Sequence, residues 1–542
     1  MTGQGVHGEY ALINGQVFTM NESHPQASAV AIRGDRVVAV GDEAGVRAAL
    51  GVDAPSYDLG GAVVLPGLID THTHVEFIAL SRHFWLDVRG EPGSAEVLKR
   101  MLDHSESLNA DQWLVAQGTF GQEIPTKLEL DRAFPDRPVV VRWTMHKFVV
   151  NQRALDLSGI DGTTTVPAGM RLQVDENGEL NGVLEEAWDL LAVPSPPRHL
   201  LSEAIEETLR SLFLSNGVTT VHEIACTTEG LSCMQELARS HKVPRLGVLL
   251  TARPGHQPLT DFSETTLRAL GDALGDDRYW IQGVKIFMDG GRDGAFRAED
   301  LNLPANRWGL LTRLYPTLVD ELTAAAKSGL QVCTHAIGDL AQEIALSAIE
   351  RVHQNFPKLD HRLRIEHFFN ESLDTASLSR LVAAGGIAVP NPGFVIAEPD
   401  DPQLRQPPGA NKFSLRTLAE VQGIIPGNSD TAGAQPFTTN PWFTMKCMLE
   451  LKNKNGVEVN PGQTLTVDQV LRSFTVDAAY ATKQEKVKGQ IAPGYLADLT
   501  IVDRDPHQLL SESFTEVQTR SVIVGGVVQH GDLSALTEVS EV

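Results

Sequence analysis

Positive charge is scarce in this 542-residue chain: 45 lysines and arginines face 69 aspartates and glutamates, a net charge of −24. Nucleic acid and anionic membrane surfaces would be repelled over much of such a protein, so neither is an expected partner. Cysteine is rare as well. Cys226, Cys233, Cys333 and Cys447 show no C-x-x-C spacing, and four in so long a chain exclude a disulfide framework, so all read as free thiols. No apolar run approaches the roughly 18 residues of a membrane span, and Met1 to Tyr10 has neither a basic nor an apolar leader segment. A cytoplasmic protein is the expectation. Internal repeats and low-complexity tracts are absent, and 42% hydrophobic with 21% charged residues is ordinary globular composition. The length exceeds what one core supports, which predicts a large catalytic domain plus a smaller one.

What is present is a pattern of metal-ligand type. An apolar run of strand character, Ala62 to Ile69, leads into Asp70-Thr71-His72-Thr73-His74, and the period of 2 in a strand turns both imidazoles to one side. A lone His-x-His arises by chance; the company it keeps downstream changes its meaning. Lys285 in Val284-Lys285-Ile286-Phe287-Met288-Asp289, His335 in Val332-Cys333-Thr334-His335, His367 in Arg364-Ile365-Glu366-His367 and Asp430 in Asn428-Ser429-Asp430 each follow a short apolar run where strand gives way to loop. Histidine, carboxylate and water suit zinc or a similar divalent ion that acidifies bound water, and Asp430 fits as the base that takes the water's proton.

This order of His-x-His, Lys, His, His and Asp resembles the amidohydrolase superfamily of metal-dependent hydrolases, and specifically the family 3 branch that includes N-substituted formamide deformylase. The resemblance runs from about Tyr10 to about Gly531. It implies that His72 and His74 hold a more buried metal, that His335 and His367 hold a more exposed one, and that Asp430 touches the first. Asp430 and His335 are then the catalytic candidates, and His72, His74, Lys285, His335, His367 and Asp430 the metal candidates. It also implies one or two zinc ions, with Lys285 carboxylated and bridging two metals. The alternative is a single metal with Lys285 as an ordinary buried cation paired to Asp430 or Asp289.

Alternating strands and helices predict an α/β fold, a (β/α)₈ TIM-like barrel over residues 63–487. Its eight strands are the His72/His74 run, 217–223, 245–250, the Lys285, His335 and His367 runs, 386–390 and 424–428, with helices near 201–216, 317–328, 340–353 and 373–384. Short strands at both ends, including an Asn14-Gly15 hairpin turn and the runs 494–503 and 522–528, predict a small β-sandwich domain from residues 1–62 plus 488–542. A long insertion after the first barrel strand, about 81–197, has strands of its own and is placed to cover the substrate.

Substrate-binding candidates are His146, which matches a substrate-facing histidine of the resembled family, Asp289, and the aromatics Trp85, Trp143 and Trp308, with Phe120 a further one. Glu185, His222 and Glu223 are weaker candidates, and Asp339 reads equally as a helix N-cap. The expected activity is hydrolysis of a non-peptide carbon–nitrogen bond, an amide, formamide or carbamate, in a small molecule. An esterase, lactonase or cyclic-amide hydrolase on the same site, an isomerase or lyase on this scaffold, and a non-catalytic regulatory binding protein are the alternatives. A homodimer or larger homo-oligomer stays open.

Overall fold

The apolar run before the histidines does not make one strand. In the computed structural model, which describes residues 8–51, 53–119, 121–225, 227–252, 259, 262–272, 275–368, 375–401, 412–431 and 436–533, it is broken into Val63–Pro66 and Leu68–Thr73. Gly67 is the joint. A Cβ there would sit 2.2 Å from the Thr219 hydroxyl, so only glycine allows the close approach. Val63–Pro66 belongs to a sheet of the terminal segments, whereas Leu68–Thr73 opens a seven-stranded sheet.

That sheet carries Leu68–Thr73, Val218–Ala225, Arg245–Ala252, Tyr279–Phe287, Gln331–His335, Arg364–Glu366 and Ile387–Val389 in sequential order, every pair parallel. Helices such as Arg198–Thr208, Tyr315–Lys327 and Asp339–Asn355 alternate with the strands and lie outside. The period of 2 sorts the strand residues. Val284, Ile286, Val332 and Ile365 join Leu318, Leu322, Ala345 and Ile349 of the helices in the main core, while Lys285 and Phe287 face inward. Ile224, Leu249 and Cys333 fill the interior. This is a TIM-like α/β fold.

The expected eighth strand, 424–428, is not a strand. The segment does run beside the first: Thr71 N–H donates to Gly427 O at 3.1 Å, and Asp430 N–H to His72 O at 2.9 Å. Pro426 has no N–H to give to a ladder, and Ser473–Phe474 takes the neighbouring hydrogen bonds through Gly427 N and Ile69 N. The irregular backbone still delivers Asp430 to its place.

Asn14-Gly15 is not a hairpin turn either. Glu9–Ile13 pairs with Ala29–Arg33 and Ser56–Asp58, whereas Gln16–Phe18 pairs with Gln26–Ala27 and Val63–Pro66, so the chain crosses between two sheets there. The second of these sheets is completed by the C-terminal strands Leu499–Val502, Thr519–Val524 and Val527–Gly531. One apolar core draws Tyr10, Leu12 and Ile32 from one sheet and Val64, Leu499 and Ile523 from the other. The buried pair Arg245–Asp498, bidentate at 2.7 and 2.9 Å, ties this unit to the foot of a barrel strand.

The insertion builds its own six-stranded sheet from Leu86–Asp87 to Leu180–Glu185. Leu114, Ala116, Val139 and Val141 pack to one side, Val115 and Val140 to the other. Cys233, Cys333 and Cys447 are buried free thiols; Cys226 lies outside the described residues. No helix among the described residues is long and apolar enough to cross a membrane.

Candidate metal and active site

The C-terminal ends of the barrel strands converge on Asp430. His72 lies within Leu68–Thr73, and His74 stands just past it, where helix Val75–His83 begins. Asp430 Oδ1 is 3.2 Å from His72 Nε2 and 3.6 Å from His74 Nε2, and Oδ2 is 3.5 Å from His367 Nδ1. Burial pushes the Asp430 carboxyl up, but His72, then His367 and His74, outweigh it and hold it well below the carboxylate range. Asp430 and His367 both take positive φ, +41° and +67°, a backbone state non-glycine residues adopt at a cost where the surroundings enforce it.

Two partners absent from the sequence expectations orient the imidazoles. Glu366 Oε2 meets His72 Nδ1 at 2.5 Å, and Arg364 clamps Glu366 from behind at 2.7 and 2.9 Å. Asn391 Oδ1 meets His367 Nδ1 at 2.7 Å and its amide donates to Asn428 Oδ1 at 2.7 Å. The pleat of Arg364-Ile365-Glu366 was the signal for the first, because residues 364 and 366 share a strand face. Nothing local marks Asn391. Asp70, also passed over, accepts from the N–H groups of His72 and Ser429, both at 3.1 Å, and so staples the two ligand segments together.

Lys285 is fully buried, with Nζ 3.4 Å from His72 Nε2 and 5.0 Å from the Phe287 ring centroid. Burial lowers its pKa. His335 ends its strand as expected but turns Nε2 to the Gly290 carbonyl at 3.0 Å, with its ring 4.4 Å from that of His367.

The donor set fits a divalent ion. His72, His367 and Asp430 offer ligand atoms within 4.8 Å of one another, and buried His74 Nδ1 has no hydrogen-bond partner. His72, its Nδ1 held by Glu366 and its Nε2 turned to Asp430, is presented as a metal-ligating imidazole is, and imidazoles gathered with one carboxylate are the nitrogen and oxygen ligands that zinc and similar ions take.

Above this group opens a cavity of about 590 Å³ lined by all six expected ligand residues, by His146 and Trp143, and by apolar Met145, Leu310, Phe394, Ile396 and Phe413. Trp85 and Trp308 do not line it. Trp85 packs against Trp188 and under the Arg142 guanidinium, 4.3 Å from its ring, while the Trp308 indole donates to Leu303 O at 2.9 Å. Asp289 is not at the cavity wall. Its carboxylate accepts the N–H groups of Phe296, Ile337 and Gly338 at 2.8 to 3.0 Å, binding together the loops after the Lys285 and His335 strands, and burial pushes it up to about 7. Glu223 is likewise a clamp. It accepts from Val75 N and Glu76 N, and burial pushes it up to about 8. His222 lies beneath the site against Trp280, and Glu185, which lines the cavity, pairs with Arg171 at 3.2 Å. Asp339 is the first residue of its helix, after Gly338 at the cap. Phe120 lies outside the described residues.

Among curated proteins, the chain is 26% identical to N-substituted formamide deformylase of Arthrobacter pascens, covering 96% of this chain and 98% of that one. It is 27% identical to Protein LONG AFTER FAR-RED 3 of Arabidopsis thaliana, over 96% and 91%. Among solved structures, a metal-dependent hydrolase from Pyrococcus horikoshii superposes with a TM-score of 0.71 at 22% identity, over 93% of this chain and 99% of that one, a likeness of fold. The sequence profile described as the amidohydrolase family matches residues 56–530. The chain therefore belongs to the amidohydrolase family.

Proposed function

We propose that this hydrolase cleaves a non-peptide carbon–nitrogen bond, a formamide, N-acyl or carbamate bond, in a small molecule with an apolar substituent. The observation that carries the reading is the Asp430 carboxylate, charged and facing three imidazoles at the floor of a cavity whose wall includes Met145, Leu310, Phe394, Ile396 and Phe413. The amidohydrolase family and the formamide deformylase relative favour the same bond class.

His72, His74, His367 and Asp430 are the residues that would hold a divalent ion such as zinc, with His335 beside them. When bound, such an ion supplies a Lewis acid that makes water a competent nucleophile near neutral pH and polarises a carbonyl. Asp430 takes the proton of the attacking water and returns it to the departing amine nitrogen, so amide and water become acid and amine. Glu366 and Asn391 keep His72 and His367 in one tautomer and orientation. His146 faces the substrate carbonyl from the cavity wall, and Trp143, Met145 and Phe413 exclude water around the substituent. Lys285 stands 3.4 Å from the His72 nitrogen an ion would take, so an ammonium there would repel it. Carboxylation by carbon dioxide, in which the amine forms an N–C bond and loses a proton, turns it into a ligand; intact mass heavier by one carbon dioxide would show it.

Amine release from N-formyl, N-acetyl and carbamate derivatives of benzylic, alkyl and amino-acid amines tests the proposal, with zinc-loaded protein and Asp430→Asn as control. Release lost on chelation, restored by zinc and absent in Asp430→Asn is expected. No release from any member of the panel, or an undiminished Asp430→Asn, would overturn it.

A further inference from the structure

The insertion does more than cover the barrel. Strand Lys147–Val150 pairs antiparallel with Leu180–Glu185 with Lys147 opposite Glu185, so residues 146 and 186 continue the pair at the cavity end. There His146 Nδ1 lies 2.6 Å from Glu186 Oε1, and Glu186 N–H donates to His146 O at 2.8 Å. Both residues border the cavity; Glu186 is 3% exposed, and the centroid of the His146 ring is 5.3 Å from that of His335. Gly291 backs the ring: a Cβ there would lie 3.1 Å from three His146 atoms. Glu186 also holds φ +56°, a left-handed backbone that costs a non-glycine residue stability and that persists where something else enforces it.

We infer that Glu186 is a positioning residue: it holds His146 with Nδ1 as the donor to its carboxylate and Nε2 presented to the substrate, so that the insertion supplies the barrel site with an oriented imidazole. The inference rests on the hydrolase reading above for what His146 faces, but the pairing itself is a property of the chain. A carboxylate on one ring nitrogen fixes the tautomer and the orientation of the ring, the same logic by which Glu366 serves His72. Glu185, the neighbouring acid, engages Arg171 and Gln173 instead.

Two readouts test it. In the amine-release assay, Glu186→Gln should lower kcat/KM by about tenfold to a hundredfold, the range for losing the orienting partner of a site histidine, with zinc content unchanged. Introduced into His146→Ala, the same change should cost nothing further, because Glu186 acts through that ring; additive losses would mean a merely structural role and overturn the inference. Glu186→Gly suits the φ of this position and should melt no lower than Glu186→Gln while sharing its activity deficit. Independently of any substrate, the rate of carbethoxylation of His146, followed by peptide mass spectrometry at pH 8, should fall several-fold in Glu186→Gln. Equal rates would overturn the pairing even if the enzyme is active; slower modification without any amine release would leave the pairing standing and sink only the choice of substrate.

Discussion

Asp430 and Glu366, at the floor of the cavity, are 6% and 0% exposed, and Glu223 and Asp289, in the elements that frame it, are both 0% exposed. Burial alone would push all four carboxyls up. In Glu223 and Asp289 it does, to about 8 and about 7, because their partners are backbone N–H groups. In Asp430 and Glu366 it is overcome, by imidazoles in the first and by Arg364 and then His72 in the second, and both stay ionised. A guanidinium, or a cluster of imidazoles aimed at the group, offsets the desolvation of a carboxylate, and amide dipoles offset only part of it. The charged pair belongs to the cluster of imidazoles beneath the cavity, and the raised pair anchors the surrounding segments.

Breaking the charged pair should have the largest effects. Asp430→Asn keeps shape and loses the base, so hydrolysis should fall by about a thousandfold in kcat while the far-UV circular dichroism is unchanged. Glu366→Ala strands the Arg364 guanidinium in the core and frees His72. A loss of roughly 3–5 kcal/mol in urea unfolding is expected, together with weaker zinc retention.

The protonated pair answers to pH with the opposite sign. Glu223 titrates from 4.5 when unfolded to about 8 when folded, so in that window the native state binds the extra proton. Its contribution to stability is full below about pH 4.5 and is lost as pH rises through 8. Asp430 and Glu366, shifted down, contribute stability above the ordinary carboxylate range that disappears on acidification. Glu223→Gln should therefore flatten the decline of the unfolding free energy in urea between pH 5.5 and 8.5, by an amount on the order of a few kcal/mol at most. A variant whose decline matches the wild type would show that Glu223 is ionised and break the contrast. At the other extreme, Asp103 pairs with Lys99 on an exposed helix face, and Asp103→Asn should leave urea unfolding unchanged within error.

Much of the site was legible along the chain because each candidate ligand lies near the end of an apolar run or just beyond it, and the barrel brings such ends together. His72, His74, Lys285, His335, His367 and Asp430 all line one cavity. The expectations that failed depended on packing and loop contacts that residue type does not show. Trp85 and Trp308 are as aromatic as Trp143, and only packing separates the cavity wall from a guanidinium stack. Asn14-Gly15 has the turn preference of a hairpin, yet the flanking strands find better partners in two different sheets. Asp289 has the inward phase of Lys285, but three loop N–H groups claim its carboxylate before a substrate could.

Residue type and period thus determined by themselves which face of a strand each side chain takes, because alternation along a strand is a local steric property. Which of those side chains would stay charged, which imidazole is held by which carboxylate, and that Glu186 of the insertion pairs with His146 were decided only by tertiary structure. Desolvation and Coulomb energies depend on neighbours brought from far along the chain, 294 residues for Glu366 and His72 and more for Asp430 and His72, and no local pattern encodes that distance.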